Sequence, residues 1–319
     1  DRYQWRFASV KRILVPEQRQ AQNRYSAMHI LSVQSQVVFG HVGNSATSFP
    51  LQCLGHEVWS VPTAILSNHA GYPDFGGQTM PPATVSDLLH GLDRRGVFSK
   101  CDLMISGYLG NTELAALVTE TVGRIRATNP NLIYCCDPVM GDDGSGLYVD
   151  AALPQHFRDT ALPVADITTP NLFELAVLCG LDAGALKAAS VGDIVAAGRT
   201  LLAHMRPGAT VMVTSADHRD LDLTRVAVIA ISDSEAWCVD TPRIVFPSEP
   251  HGAGDLLSAL FAAAMAEHRS PARALEDSVA TVFAVLSETH RQAADELELV
   301  AARDAIVSPE QQFTARSVG

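Results

Sequence analysis

Apolar residues along the chain follow two alternating spacings. Short apolar runs that favour buried strands lie at 29–35, 57–63, 101–108, 131–138 and 210–216. Segments with the spacing of an amphipathic helix lie between some of them, at 84–95, 111–127 and 190–205. Alternation of strands and helices is typical of a mostly parallel sheet with helices on both faces. The pattern therefore predicts a three-layer α/β fold.

The last third of the chain departs from this alternation. Two apolar runs flank a turn at Asp233 and Ser234, which predicts an antiparallel hairpin late in the sheet. Two further helices are expected near 271–289 and 296–306. No internal repeat and no Pro- or Ser-rich linker divides the chain, so we expect one domain over residues 28–319.

Residues 1–27 differ in character from the rest of the chain. Their charges are mostly basic, and no apolar signal-peptide core follows the basic positions. We interpret this stretch as a basic, weakly ordered N-terminal extension, and a transit peptide is the alternative.

The composition narrows the class of protein. The 319 residues include 47% hydrophobic and 18% charged residues, an ordinary globular balance. A formal net charge of −12 argues against a nucleic-acid-binding protein, which usually presents a basic face. No apolar run is long enough for a membrane span. The six cysteines form no C-x-x-C pair, so we expect reduced thiols in a cytoplasmic protein rather than disulfides or a cysteine metal cluster.

Three common catalytic motifs do not occur in the sequence. The segment GHVGNSATS (40–48) lacks the lysine that a P-loop requires. No G-x-G-x-x-G follows the first predicted strand, which argues against an NAD-dependent dehydrogenase. No G-x-S-x-G is present, and Ser145 lacks the strand–turn–helix context of a hydrolase nucleophile.

The segment HGAGDLLSALFAAAMA (251–266) places a carboxylate where a helix is expected to begin. The amides of Gly252, Ala253 and Gly254 would point from the N-terminus of that helix, where its dipole favours an anion. Asp255 would be repelled by the same anion unless it accepts a proton from a hydroxyl that attacks phosphorus. The alternative is a glycine turn followed by an ordinary acidic residue of a first helical turn.

A second group of acidic residues follows the predicted strand 131–138. Asp137 ends this strand, and Asp142 and Asp143 follow in a loop rich in glycine and aspartate, 139–150. Carboxylates at the carboxyl end of a strand suit a hydrated Mg²⁺ ion that bridges the phosphates of ATP. The alternative is that Asp137 caps a turn before the next proline.

The segment DITTPNLFELAVLCG (166–180) predicts a strand, a turn and a helix. Asn171 and Glu174 fall on the first turn of that helix. Asn171 fits an N-cap, and a cap residue can also contact a ligand.

Six segments in chain order resemble the pyridoxal kinases (vitamin B6 kinases) of the ribokinase-like superfamily: SVQSQVVFGHVGNSATSFPLQCLG, SNHAGY, SGYLG, YCCDPVMGD, DITTPNLFE and HGAGDLLSALF. The likeness runs from about residue 28 to the C-terminal VSPEQQF. The opening QS-x-V-x-x-G-x-V-G-N and the loop SNH-x-G-Y distinguish this family from the related sugar kinases.

The resemblance implies a ribokinase-like fold and transfer of the γ-phosphoryl group of ATP to the 5′-hydroxyl of pyridoxal, pyridoxine or pyridoxamine. It implies Mg²⁺ as the metal, with K⁺ or Na⁺ as an additional cation left open. It further implies a homodimer that acts on small molecules and binds neither nucleic acid nor membrane.

The resemblance also implies roles for individual residues. Asp255 would be the base, and the anion hole would be formed by Gly252, Ala253 and Gly254. The pocket for the pyridine ring would be lined by Ser35, His69, Ala70, Gly71 and Tyr108. The metal and phosphates would lie near Asp142 and the two metal ligands, Asp137 and Glu174. The nucleotide would be contacted by Tyr148, Thr169, Asn171, Thr214 and Ser215, with the loop 139–150 as a lid that excludes water.

Three positions depart from the pattern of the family. The family commonly has threonine where this chain has Ala70, and one lost hydrogen bond to the ring would cost about 1 kcal/mol and weaken or broaden the choice of vitamer. Ala253 stands where many relatives carry threonine, but the backbone amide would act there. His251 is unexpected directly before the anion hole, and nothing in the sequence explains it.

Two other functions stay open. A hydroxymethylpyrimidine kinase shares the fold and the Gly-x-Gly-Asp segment. A non-catalytic vitamer carrier could use the same scaffold without turnover. The combination of Asp255, Asp137 and Glu174 argues against a carrier, because a binding protein needs no base beside a phosphate site.

Overall fold

The computed structural model describes residues 27–319. The predicted basic extension, residues 1–27, therefore lies outside the described residues except for its last position. Among the described residues, no helix is long and apolar enough to cross a membrane. All six cysteines carry free thiols, as expected, although Cys53 and Cys179 are only partly buried.

Twelve strands occur in the described part of the chain. They are β1 His29–Val37, β2 Glu57–Leu66, β3 Gly77–Thr79, β4 Leu103–Ser106, β5 Ile133–Cys136, β6 Gly141–Asp142, β7 Gly146–Leu147, β8 Ile167–Thr168, β9 Thr210–Val213, β10 Arg225–Ile231, β11 Ala236–Pro242 and β12 Arg316–Ser317. Ten of them form one sheet in the order β12-β11-β10-β9-β8-β5-β4-β1-β2-β3. The strands from β9 to β2 are parallel, and the remaining pairs are antiparallel, including the predicted hairpin of β10 and β11.

Ten α-helices surround this sheet in the same part of the chain. They are α1 Asn44–Cys53, α2 Pro82–Arg94, α3 Thr112–Thr128, α4 Leu153–His156, α5 Leu172–Cys179, α6 Ala183–Lys187, α7 Val191–Leu202, α8 Ala253–Ala266, α9 Pro271–Gln292 and α10 Arg303–Val307. Side chains of one strand alternate between two cores, so that Leu31 packs with residues of α2, α3, α5 and α7, and Ile30 with residues of α1, α8 and α9. The predicted three-layer arrangement is confirmed.

Three local expectations differ from the structure. Helix α2 begins at Pro82, two residues before the expected segment 84–95, because proline is favoured at the first helical position, where it has no N–H that needs a partner. The helix expected at 296–306 is reduced to α10, and residues 299–302 form turns. The loop 139–150 contains a short hairpin of β6 and β7.

The carboxyl ends of the parallel strands meet at one edge of the sheet, where open α/β sheets bind their ligands. Predicted site residues at or directly after these strand ends are Ser35 of β1, Tyr108 after β4, Asp137 after β5, Thr169 after β8 and Thr214 after β9. The fold therefore brings together residues that are far apart in the sequence.

Candidate active site

Helix α8 begins without a side-chain cap. Gly252 precedes its first residue with a φ of 91° and supplies no side-chain hydrogen bond. A Cβ at this position would collide with the carbonyl oxygen of His41, so only glycine fits. The first amides of α8 are thus not used by a cap, which is the arrangement that an anion-binding helix start requires.

Asp255 lies in the first turn of α8 and is partly buried. Its Oδ2 accepts a hydrogen bond from the backbone N–H of Gly43 at 3.0 Å. Burial raises the pKa of Asp255 to about 6, although the hydrogen bond from Gly43 works in the opposite direction. A carboxyl group with this pKa is mostly ionised at neutral pH and is still basic enough to accept a proton.

Gly43, in the loop after β1, connects Asp255 with the predicted ring pocket. Its φ is 54°, and a Cβ here would collide with the backbone and the hydroxyl of Ser35. The pairing of β1 with β2 is irregular between Gln34 and Gln36, which displaces Ser35 from the regular register. Ser35 and Asp255 therefore both contact the same glycine, a residue that the sequence analysis did not single out.

Asp137 is almost fully buried, with 7% of its surface exposed. Burial, followed by the nearby charges of Glu174 and Asp255, raises the pKa of Asp137 well above its usual value. Hydrogen bonds from Ser258 and Thr169 lower that pKa but do not offset the increase. A carboxylate crowded by two others marks a place where a bound cation would be stabilising.

A reciprocal capping box begins helix α5. Asn171 Oδ1 accepts from the N–H of Glu174 at 2.8 Å, and Glu174 Oε2 accepts from the N–H of Asn171 at 2.9 Å. Glu174 Oε1 accepts from the N–H of Met140 at 2.9 Å, and Asn171 Nδ2 donates to the carbonyl oxygen of Gly141 at 2.9 Å. Burial raises the pKa of Glu174, while these backbone amides lower it. The interpretation of Asn171 as an N-cap is confirmed, and its contact with a nucleotide stays a prediction.

The predicted lid, residues 139–150, presents one tyrosine toward the acidic residues. Tyr148 is 51% exposed, yet partial burial, followed by the charges of Glu174 and Asp137, raises the pKa of its phenol. Asp142 lies in β6 of the same segment and is exposed. Tyr148 is therefore close enough to Glu174 and Asp137 for their charges to act on its phenol.

The residues predicted to contact the nucleotide lie around the start of α5. Thr169 is buried, and its Oγ1 accepts a hydrogen bond from the hydroxyl of Ser258 at 3.0 Å. Thr214 pairs with Asn171 in an isolated parallel bridge. Ser215 has a φ of 47°, a conformation that costs energy for a residue other than glycine and is concentrated at functional sites.

The segment 67–76 after β2 carries three residues of the predicted ring pocket. His69 is partly buried, and Ala70 and Gly71 are exposed. The ring of His69 stacks on the ring of His251, with centroids 3.8 Å apart and planes inclined by 29°. This segment is therefore in contact with the residue directly before the start of α8.

Tyr108, the fifth predicted residue of that pocket, is fixed through its backbone. The hydroxyl of Thr63 in β2 donates to the carbonyl oxygen of Tyr108 at 2.5 Å. The side chain is partly buried, and burial raises the pKa of its phenol. Its contact with a substrate ring stays a prediction.

Glu296 is a further residue of this region that the sequence analysis missed. Its Oε1 accepts from the hydroxyl of Tyr72 at 2.7 Å, and its Oε2 accepts from the N–H of His41 at 3.2 Å. The hydrogen bond to Glu296 raises the pKa of Tyr72 to about 12. Glu296 thereby joins the loop after β1 to the loop after β2, but its partners are 224 and 255 residues away, so no local pattern indicates the contact.

Comparison with known proteins identifies the family. Residues 79–296 match the family described as phosphomethylpyrimidine kinase. The chain is 42% identical over 292 residues to the pyridoxal kinase PdxY of Rubrobacter xylanophilus, covering 91% of this chain and 98% of that relative. The chain belongs to the pyridoxal kinase family. A second pyridoxal kinase PdxY, from Corynebacterium diphtheriae, is 40% identical over 91% of this chain and 100% of its own length.

Solved structures of pyridoxal kinases share the fold. The enzyme from Leishmania donovani in complex with ADP and pyridoxine superposes with a TM-score of 0.82 at 26% identity, over 91% of this chain and 99% of that chain. A putative phosphomethylpyrimidine kinase from Bacteroides thetaiotaomicron gives a TM-score of 0.81 at 22% identity, over 92% of this chain and 99% of that chain. The ribokinase-like fold expected for a pyridoxal kinase is confirmed, and the fold alone does not separate the two substrate classes.

Proposed function

We propose that the protein transfers the γ-phosphoryl group of ATP to the 5′-hydroxyl of pyridoxal, pyridoxine or pyridoxamine, which yields the corresponding 5′-phosphate. The observation that carries the proposal is Asp255 at the uncapped start of α8. A carboxylate beside unused helix amides provides both a base and a site for the transferring phosphoryl group. Membership of the pyridoxal kinase family supports the choice of substrate class.

In the proposed reaction, Asp255 accepts the proton of the 5′-hydroxyl while that oxygen bonds to the γ-phosphorus. The bond between the γ-phosphorus and the bridging oxygen of ADP breaks in the same step. The N–H of Gly43 occupies Oδ2 of Asp255, so Oδ1 is the atom that takes the proton. The amides of Gly252, Ala253 and Gly254 stabilise the charge on the transferring group, and the dipole of α8 adds to this effect.

Asp137 and Glu174 are the residues that would hold Mg²⁺. Within residues 27–319, no group of three or more His, Cys, Asp or Glu side chains is arranged to hold a metal ion by itself. Two buried carboxylates still fit Mg²⁺, because this ion usually keeps several waters and binds one or two carboxylates together with substrate phosphates. When bound, Mg²⁺ neutralises charge on the β- and γ-phosphates. An additional K⁺ or Na⁺ ion stays a prediction from the family resemblance.

The remaining predicted residues would position the two substrates. The pyridine ring would contact Ser35, His69, Ala70, Gly71 and Tyr108. The nucleotide and its phosphates would contact Asp142, Tyr148, Thr169, Asn171, Thr214 and Ser215. Closure of the lid, residues 139–150, would exclude water and prevent hydrolysis of ATP. Four of these residues, Ser35, Tyr108, Thr169 and Thr214, lie along the carboxyl edge of the sheet, which supports this assignment.

We also propose a homodimer in the cytoplasm. Large apolar side chains are exposed near the β3 edge of the sheet: Val38, Phe39, Ile65, Phe75 and Leu88. A second copy of the chain would cover such a surface. The free thiols of all six cysteines fit a reducing compartment. Light scattering tests the dimer, and replacement of Phe39 with Asp should produce monomers.

A hydroxymethylpyrimidine kinase is the second candidate, because the family model that matches residues 79–296 is described as a phosphomethylpyrimidine kinase. The deciding experiment is steady-state phosphorylation with MgATP of pyridoxal, pyridoxine, pyridoxamine and hydroxymethylpyrimidine. We expect kcat/KM for pyridoxal to exceed that for the pyrimidine at least about tenfold, since the site discriminates by hydrogen bonds to the ring. Turnover of the pyrimidine alone would favour the second candidate. Tight binding of pyridoxal without turnover would favour a non-catalytic carrier.

A further inference from the structure

Two histidine rings meet between the predicted ring pocket and the start of α8. His69 lies on the segment 67–76, and His251 directly precedes Gly252. Their rings are stacked, with centroids 3.8 Å apart and planes inclined by 29°. The stack joins the segment that would contact the substrate ring to the turn that would bind the phosphoryl group.

Gly71 completes this arrangement. Its N–H donates to Nδ1 of His69 at 3.0 Å. A Cβ at Gly71 would lie 2.9 Å from Nδ1 of His69 and 3.0 Å from Nε2 of His251, so the backbone of Gly71 packs against the edges of both rings. A larger residue at position 71 would push the two rings apart.

The hydrogen bond from Gly71 also decides which nitrogen of His69 carries the proton. A nitrogen that accepts an N–H is unprotonated, so the neutral ring of His69 has its proton on Nε2. Burial, followed by the neighbouring His251, lowers the pKa of His69 to about 4, which keeps the ring neutral at neutral pH. His69 therefore offers one N–H donor of defined direction.

We propose that His251 is a positioning residue for substrate binding. By stacking on His69, it fixes the orientation of that ring so that Nε2–H donates to an acceptor atom of the pyridine ring system. His251 acts through His69 and does not contact the reacting atoms. The identity of the ligand rests on the proposed function, whereas the role of the stack in orienting His69 does not.

Kinetics of three variants test the proposal. For His251→Ala we expect KM for pyridoxal to rise about three- to tenfold, the scale of one aromatic pair, while kcat changes by less than about twofold. His251→Phe keeps a flat ring and should restore KM to within about twofold of the wild type. His290→Ala is the matched control, because His290 is also exposed and also makes a ring contact, with Phe246, and this variant should leave KM unchanged.

A spectroscopic measurement tests the stack without any reaction. In protein labelled with ¹⁵N-histidine at neutral pH, wild-type His69 should give the signals of an unprotonated Nδ1 and a protonated Nε2. In His251→Ala both signals should move toward the average of the two tautomers, and in His251→Phe they should not.

The outcomes distinguish failure of the proposed function from failure of the role proposed for His251. If the wild type phosphorylates no vitamer, the proposed function fails, and the nitrogen signals still decide the role of His251. The inference is overturned if His251→Ala keeps both the wild-type KM and the wild-type signals of His69. It is equally overturned if His290→Ala raises KM as much as His251→Ala does.

Discussion

Helices α5 and α8 both begin beside the predicted phosphate site, but the backbone amides of their first turns are capped differently. Helix α5 starts with a capping box in which Asn171 and Glu174 satisfy each other's amides. Helix α8 starts directly after Gly252, which is in the left-handed conformation, and has no side-chain cap. A side-chain cap typically stabilises a helix by about 1 kcal/mol, so the open start of α8 gives up stability that α5 keeps. Such an open start is useful where an anion has to approach the amides.

The two helices also differ in how they use their first acidic residue. Both carboxylate oxygens of Glu174 accept backbone N–H groups, from Met140 and Asn171. Among residues 27–319, only one oxygen of Asp255 accepts a backbone N–H, from Gly43. The backbone therefore holds both oxygens of Glu174 in place, whereas Asp255 keeps one oxygen that can take a proton.

The largest expected effect comes from Asp255→Asn. This variant should lose about 100-fold or more in kcat, because the amide cannot accept the proton of the 5′-hydroxyl. Its melting temperature should not fall, since the change removes a partly buried carboxylate charge that raises the energy of the folded state. Steady-state kinetics and calorimetry measure both quantities. A loss in kcat of less than about tenfold would contradict the role of Asp255 as the base.

Gly252→Ala should have the second largest effect. A Cβ at this position meets the carbonyl oxygen of His41, and the φ of 91° is strained for alanine, so the first turn of α8 must shift. We expect kcat to fall at least about tenfold and stability to fall by about 1–3 kcal/mol. Gly254→Ala is the matched control for stability, because a Cβ there has no neighbour within 4 Å, and its melting temperature should be kept or raised. Equal destabilisation by both changes would contradict this account.

The pH dependence of kcat/KM should follow Asp255. Its pKa of about 6 predicts that kcat/KM for pyridoxal falls about tenfold per pH unit below pH 6, because the protonated carboxyl cannot act as a base. Above this pKa the acid limb should level off. Glu174→Gln should lower activity but keep the fall of kcat/KM below pH 6. The residual activity of Asp255→Asn should not show this fall. If the fall at acidic pH disappears in Glu174→Gln instead, Glu174 rather than Asp255 would be the base.

The smallest effect is expected at helix α5, whose start is capped. Asn171→Ala removes the cap of α5, which should cost about 1 kcal/mol and lower the melting temperature by about 2–4 °C. Calorimetry of the protein without nucleotide checks this value. An unchanged melting temperature would mean that the capped start of α5 does not contribute the stability that the comparison assigns to it.

Local patterns of the sequence predict much of this molecule, and long-range contacts explain the remainder. The cap at Asn171 and the glycine start of α8 can be read from a few neighbouring residues. The hydrogen bond of Gly43 to Asp255 joins residues 212 positions apart, and the stack of His69 and His251 likewise depends on the tertiary fold. Short helices such as α4 and α6 have too few turns to show a period.

A crystal structure with ADP, aluminium fluoride and pyridoxal would test the central claim most directly, because the fluoride group imitates the transferring phosphoryl group. The account predicts this group within hydrogen-bond distance of the amides of Gly252, Ala253 and Gly254, and the 5′-hydroxyl against Oδ1 of Asp255. Aluminium fluoride bound elsewhere, with the start of α8 facing only solvent, would contradict this prediction.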